Sequence, residues 1–229
     1  MSKRKIILTV AIILVLGSIP AAIFGYPYFK TYLEDREFLA NPAIHDQFVA
    51  ARDKEREIKT NPERLETYVS AMMRYKGLGD VTKDKRFYYR ALDIEARATK
   101  KFGVKSYLPA LNASTIYMSL GEYEKAETNI KKAIEMAPGD AQLYLRLIEL
   151  YKDFMKKDEA SVIAVYETGI QRLVNVLPLY NSYAAYLREI NRLEESLDKY
   201  RILRKAAPDN PLYGQQVKEL ELLVKDRGL

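Results

Sequence analysis

The sequence predicts an all-α protein in which an N-terminal transmembrane helix precedes an array of paired helices. Three observations favour this fold class. Residues 6–29 contain no charged side chain. Beyond residue 30, apolar residues recur at helical spacing, and no segment shows the alternation of period two that is typical of a half-buried strand. The pattern of residue sizes in residues 120–140 also returns in residues 190–210.

The first 29 residues have the features of a membrane anchor. Basic residues 3–5 precede the apolar run of residues 6–29, which is long enough to cross a bilayer, since a spanning helix needs about 20 residues. Because these basic residues lie on the short N-terminal side, the positive-inside rule places the N-terminus in the cytoplasm and the rest of the chain outside. We expect a single-pass protein of the cytoplasmic membrane. The alternative is a cleaved signal peptide.

Ten helices are predicted after the anchor. Asn41, Asn61 and Asn210 each precede a proline, which is typical of an N-cap followed by the first helical residue. Residues 77–80, with two glycines, are interpreted as a helix stop. The predicted helices are 42–59, 63–76, 83–102, 106–119, 122–137, 141–155, 158–176, 178–190, 193–207 and 211–226.

The helix pairs share a pattern of small and large residues. In residues 107–140, Gly121 lies in the turn, Ala126 and Ala133 supply small side chains where the two helices cross, and Pro138 closes the unit. Only size and polarity are specified at such positions, so residue identity can change while the spacing persists. This pattern resembles the tetratricopeptide repeat, a helix–turn–helix unit of about 34 residues.

The resemblance implies a right-handed superhelical array with the following organisation. The segments are 1–29 (cytoplasmic tail and anchor, or signal), 30–60 (linker and leading helix), 61–106 (irregular unit), 107–210 (three units) and 211–229 (C-terminal capping helix). In the irregular unit, about ten extra residues separate the two predicted helices when they are compared with the repeat. Terminal units of such arrays are usually atypical.

The resemblance also implies a binding groove lined by the first helices of successive units. The groove positions carried over to this chain are Leu108, Leu111, Asn112, Thr115, Met118, Gln142, Leu145, Arg146, Glu149, Lys152, Asn181, Ala185 and Arg188, with Glu66, Ser70 and Met73 in the irregular unit. The apolar members favour a partner helix or extended peptide with apolar anchors. The alternative is that these side chains pack against the protein's own helices.

Positive charge is concentrated in one part of the chain. Residues 74–105 contain ten Lys or Arg and four acidic residues, whereas the rest of the chain is nearly neutral. The candidate basic surface consists of Lys83, Lys85, Arg86, Arg90, Lys100 and Lys101. Anionic lipid or an acidic wall polymer would suit this surface. We expect no nucleic acid, because no aromatic stacking module accompanies the charge. The alternative is a solvated face without a partner.

The sequence gives little support for an enzyme. Cysteine is absent, which excludes thiol nucleophiles and thiolate metal sites, and His45 is the one histidine. We expect no cofactor and no metal. The sequence therefore predicts a non-enzymatic, membrane-anchored scaffold of the cell envelope that binds another envelope protein. The role in the envelope rests on fold-level analogy. The alternative is a secreted structural or ligand-binding repeat protein with a cleaved signal peptide.

Overall fold

The computed structural model describes residues 31–103 and 105–226, and every regular element in these ranges is helical. The helices are α1 (31–40), α2 (His45–Thr60), α3 (Leu65–Thr82), α4 (Lys85–Phe102), α5 (Leu108–Leu120), α6 (Tyr123–Met136), α7 (Ala141–Glu149), α8 (Glu159–Arg172), α9 (Leu177–Glu189), α10 (Leu193–Ala206) and α11 (Pro211–Asp226). The predicted anchor, residues 6–29, lies outside the described residues. Within the described ranges, no helix combines the length and the apolar character that a membrane crossing needs.

Helices that follow one another in the chain pack against one another along the whole array. The first helices of neighbouring pairs also meet, since α3 contacts α5 and α7 contacts α9. The buried apolar side chains form three clusters, one under α1–α4, one under α5–α9 and one between α9, α10 and α11. This arrangement confirms the predicted all-α helical repeat array.

The pair α5–α6 shows why the spacing of small residues persists. Gly121 ends α5 at φ 75° and donates its backbone N–H to the carbonyls of Met118 and Tyr117. Glycine adopts this left-handed backbone conformation without a steric penalty, so the chain can reverse its direction within two residues. Ala126 and Ala133 are fully buried in α6 and permit the close approach of the two helices.

Helix α3 does not stop where the two glycines predicted a stop. It continues through residues 77–80 to Thr82, and Lys83, at φ 60°, ends it. Gly79 is instead a point of close packing, because an added Cβ would lie 2.7 Å from the ring of Tyr88 on α4. The helix-stop prediction was therefore wrong. The extra residues of the irregular unit are additional helical turns.

Residues 31–40 form a helix, although they were predicted to belong to a linker. Phe38 is buried, and its ring centroid lies 5.2 Å from that of Phe48 and 4.3 Å from that of Phe87. Helix α1 therefore packs on α2 and α4 as part of the array.

The pair α7–α8 contains two residues more than α5–α6. Met155 occupies the position of Gly121 when the chain is aligned with a period of about 34 residues. Met155 keeps a negative φ of −83° and follows a π-helix, Leu150–Phe154, and the positive φ of 51° falls one residue later, on Lys156. Helix α8 ends at Arg172, four residues before its predicted end, and Leu173 is extended.

Candidate functional site

The predicted groove maps to the first helices α3, α5, α7 and α9. Leu108 is the first residue of α5 and is 39% exposed. Its side chain lines a cavity of about 260 Å³ between the N-terminal turns of α3 and α5. We call this cavity the Leu108 notch; it is lined by Leu65, Glu66, Val69, Ser70 and Leu108.

Leu108 also borders a second cavity, of about 340 Å³, at the connection between α4 and α5. The lining residues there are Lys105, Ser106, Tyr107, Leu108 and Met136. The hydroxyl of Tyr107 donates a hydrogen bond of 2.8 Å to Asp140, and this bond raises the pKa of Tyr107. Tyr107 therefore stays a neutral donor that is fixed in place.

The surroundings of the Leu108 notch suit an apolar side chain better than a reactive ligand. Leu65, Val69 and Leu108 supply the apolar wall, while Glu66 and Lys105 are exposed and place one negative and one positive charge nearby. In residues 31–103 and 105–226, no group of acidic, His or Cys side chains could hold a metal ion.

Other apolar groove residues are partly used by the fold itself. Leu111, Met118 and Leu145 are half-buried and pack against the central core cluster. Thr115 donates its hydroxyl to the carbonyl of Leu111 at 3.3 Å. Self-packing, the alternative stated for these positions, therefore accounts for much of their apolar area.

The charged groove residues have partners within the protein. Arg146 pairs with Glu149 on the same helix at 2.7 Å. Arg188 donates to Gln216 at 2.7 Å and forms an ion pair with Glu219, both on α11. These side chains are therefore not free positive anchors. The uncharged amide side chains of the predicted groove are half-buried or exposed: Asn112, Gln142 and Asn181.

The basic surface is smaller than predicted. Arg86 donates to both carboxylate oxygens of Glu37 at 2.7 Å, and Arg90 pairs with Asp35 at 2.6 Å and Glu34 at 3.1 Å. We call these five residues the α1 clamp, because they join α1 to α4. The prediction of Arg86 and Arg90 as free surface charges was wrong, since acidic side chains of α1 neutralise them.

The remaining basic residues differ in their surroundings. Lys101 pairs with Glu63 at 2.5 Å. Lys83, Lys85 and Lys100 are exposed and form no ion pair with another described residue. Of the six residues in the predicted basic surface, only these three lysines remain exposed positive charges without an ion pair to another described residue.

The protonation of the α1 clamp follows from its geometry. The hydrogen bond from Arg86 lowers the pKa of Glu37. Burial opposes the charge of Arg90, yet its hydrogen bonds to Asp35 and Glu34 hold its pKa above the usual value. The guanidinium of Arg90 also lies 5.4 Å from the ring centroid of Phe38. Glu37 and Arg90 are therefore charged at neutral pH.

A further apolar cavity was missed by the sequence analysis. It has a volume of about 420 Å³ and lies where α6, α7 and α8 meet, with Ile134, Tyr144, Leu147 and Val165 among its lining residues. Each of these residues fits a core position of the helical pattern, so periodicity gave no reason to single them out. The one available signal was the two-residue insertion between α7 and α8.

Comparisons with known proteins agree with the fold. Residues 110–140 match the tetratricopeptide repeat family. Among solved structures, a crystal structure of MamA protein is 16% identical, with a TM-score of 0.51 over 73% of this chain and 86% of that chain. A search of curated proteins finds no significant match.

Two proteins that are described as tetratricopeptide repeat proteins are also similar in structure. TTC0263 of Thermus thermophilus is 18% identical, with a TM-score of 0.49 over 82% of this chain and 96% of that chain. YrrB, described as having an unusual peptide-binding site, is 15% identical, with a TM-score of 0.47 over 78% of this chain and 87% of that chain. At these identities the similarity concerns the fold alone. The chain has an all-α helical repeat fold like that of tetratricopeptide repeat proteins.

Proposed function

We propose that the protein is a non-enzymatic, membrane-anchored scaffold of the cell envelope. It binds a peptide or helix of another envelope protein on the face of its first helices. The observation that carries this proposal is the Leu108 notch, an apolar cavity left unfilled between two first helices. Leu108 keeps 39% of its surface exposed at its edge. A side chain of a partner can fill this space without any rearrangement of the core.

The size of the notch favours a side chain over a cofactor. Cavities that hold small molecules usually measure about 300–1,000 Å³ and enclose most of the ligand. The notch is smaller, about 260 Å³, and a second cavity of about 340 Å³ adjoins it on the other side of Leu108. Two neighbouring cavities suit two apolar anchors on one peptide or helix, which is a common form of segment recognition.

The proposed location follows from the N-terminal sequence. The uncharged residues 6–29 are the proposed single-pass anchor, and basic residues 3–5 favour a cytoplasmic N-terminus with the helical array outside. Lys83, Lys85 and Lys100, which remain exposed, would add attraction to anionic lipid or to an acidic wall polymer.

The proposal can be tested by photo-crosslinking in the native cells. A photoreactive amino acid is placed at Leu108 in the full chain, and at Leu222 as a matched control, because Leu222 is an exposed leucine on α11 outside the notch. We expect one dominant protein adduct from position 108 and none of that size from position 222. The adduct should disappear when Val69→Glu places a charge in the notch.

The adduct must be specific to the notch for the proposal to stand. Equal adducts from positions 108 and 222, or an adduct from position 108 that Val69→Glu does not change, would show that the partner binds elsewhere. Circular dichroism of the Val69→Glu variant checks that it is folded.

A further inference from the structure

We infer that α1 lies along the outer surface of the bilayer, with Tyr32, Leu33 and Leu39 in the layer of lipid headgroups. This inference rests on the proposed function in one respect, namely that residues 6–29 span the membrane. It goes beyond that proposal because it assigns a lipid-contact surface to residues of the helical array.

Helix α1 has an outer face that no other described element covers. Tyr32, Leu33 and Leu39 are 57%, 47% and 36% exposed, which is unusual for large apolar side chains on one short helix. Arg36 lies among them, is exposed and forms no ion pair with another described residue. An outer face of aromatic, aliphatic and arginine side chains is typical of helices that lie in a membrane interface.

The inner face of α1 fixes this helix to the array. Asp35 pairs with Arg90 at 2.6 Å and with Arg52 at 3.1 Å, so it joins α1 to both α4 and α2. The guanidinium of Arg86 lies 4.6 Å from the ring centroid of Phe38, in addition to its bonds to Glu37. Because of these contacts, the outer face of α1 has a fixed direction relative to the array.

The segment between the apolar run and α1 is too short to hold α1 away from the membrane. The apolar run ends at Phe29, three residues before Tyr32. Even a fully extended chain covers only about 3.5 Å per residue, so Tyr32 lies within about 10 Å of Phe29. The headgroup layer on each side of the hydrocarbon core is about 5–8 Å thick. The first turn of α1 must therefore lie in this layer or directly above it.

The positions of the exposed apolar side chains favour an α1 that lies along the surface over an α1 that stands upright. Helical residues 31–40 span about 15 Å, so an upright α1 would carry Leu39 out of the headgroup layer. Tyr32 and Leu33 are exposed at one end of α1 and Leu39 at the other, so only a helix that lies along the surface keeps all three in this layer.

The absence of tryptophan from the chain permits a direct test. Single tryptophans replace Tyr32, Leu39 and, as a control, Leu222 on α11. Each full-length variant is reconstituted into vesicles of phosphatidylcholine and phosphatidylglycerol, with and without bromine on the acyl chains close to the headgroup. We expect brominated lipid to remove most of the fluorescence of Tyr32→Trp and Leu39→Trp and to leave that of Leu222→Trp unchanged.

The outcomes separate this inference from the proposed function. If the protein does not float with vesicles, the anchor itself, and with it the proposed function, is wrong. If it floats and Leu39→Trp is quenched no more than Leu222→Trp, the anchor stands and the inference is overturned. Quenching of Tyr32→Trp alone would mean that α1 is upright, which also overturns it.

Discussion

The buried tyrosines show, at the scale of single residues, what a repeat pattern specifies and what it leaves open. Tyr75, Tyr144 and Tyr166 are almost fully buried, and their hydroxyls donate to Glu55 at 2.8 Å, to the Pro138 carbonyl at 2.9 Å and to Ser182. Burial raises the pKa of Tyr166 to about 12. The sequence predicts a large side chain at such positions, but the partner of each hydroxyl depends on the folded neighbours.

Two glycines of α3 provide a matched test of its continuity. An alanine Cβ at Gly79 would lie 2.7 Å from the ring of Tyr88, whose hydroxyl is held by Asp80 at 2.9 Å, whereas none of the surrounding atoms lies within 4 Å at Gly77. Gly79→Ala should lower the free energy of unfolding by about 1–3 kcal/mol through overpacking. Gly77→Ala should raise it by about 0.5–1 kcal/mol, because alanine favours the helix.

Urea unfolding of residues 30–229 measures both effects. Destabilisation by Gly77→Ala would contradict the continuous helix, and stabilisation by Gly79→Ala would contradict the close contact with Tyr88. Circular dichroism of each variant before unfolding provides the control for correct folding.

At the scale of helices, the sequence predicted the array from α5 onward better than it predicted the beginning. The repeat spacing is local, so it identifies α5 and α6 from residues a few turns apart. The sequence did not reveal the partners of the acidic residues of α1, because those partners are distant in the chain. Arg86 lies 49 residues from Glu37, and Arg90 lies 56 residues from Glu34. Periodicity contains no information about such pairs.

The connection between α3 and α4 makes stability depend on pH. Asp84 caps α4 by accepting the backbone N–H of Arg86 at 2.9 Å, and the hydrogen bonds from the Arg86 side chain lower the pKa of Asp84. A lowered carboxyl pKa stabilises the fold above the unfolded value, about 3.9, and this contribution is lost as the pH falls below that value and through the lower pKa of the folded state. We therefore expect the unfolding temperature of residues 30–229 to begin to fall below about pH 5 and to continue falling below the unfolded pKa.

The variant Asp84→Asn isolates the charge in this effect. Asparagine caps helices about as well as aspartate, so the cap remains while the titrating group is removed. The fall in unfolding temperature should be smaller than in the unmodified protein. Asp209→Asn serves as the control, because Asp209 is exposed and forms no ion pair with another described residue. An unchanged pH profile in Asp84→Asn would contradict the assignment.

At the scale of the whole molecule, α11 completes the array. Val217 and Leu220 are fully buried in the cluster that contains Leu197 and Leu203 of α10. Burial of one such side chain contributes about 1.5–3 kcal/mol. Truncation after Asn210 should therefore lower the free energy of unfolding by about 3 kcal/mol or more. It should also cause self-association, since arrays need a polar terminal helix.

Urea unfolding and analytical ultracentrifugation of residues 30–210 and 30–229 measure these two effects. Leu222→Gln, at a side chain that is 63% exposed, should change stability by less than about 0.5 kcal/mol. An unchanged unfolding midpoint after truncation would show that α11 is not a cap.

The candidate site was partly predictable at this scale. Leu108 followed from the resemblance, whereas Leu65 and Val69, which also line the notch, were not among the groove positions that the resemblance implied. Whether such residues fill a core or line a cavity depends on the gap between helices of different units. That gap is set by packing, and the spacing of residues within one helix does not reveal it.

The contacts between first helices have a mechanical consequence. Ser119 of α5 donates to Asp80 of α3 at 3.3 Å, Lys152 after α7 pairs with Glu189 of α9 at 2.6 Å, and Arg188 of α9 pairs with Glu219 of α11. These polar links lie toward the C-terminal ends of the helices, whereas the Leu108 notch lies at the N-terminal ends. At the N-terminal ends, Tyr107 bonds to Asp140 and so links α5 to α7, whereas no hydrogen bond or ion pair between described residues links α3 to α5 there. A partner side chain that fills the notch would therefore bridge α3 and α5 at the ends that are not otherwise joined, and would fix the spacing of these two units.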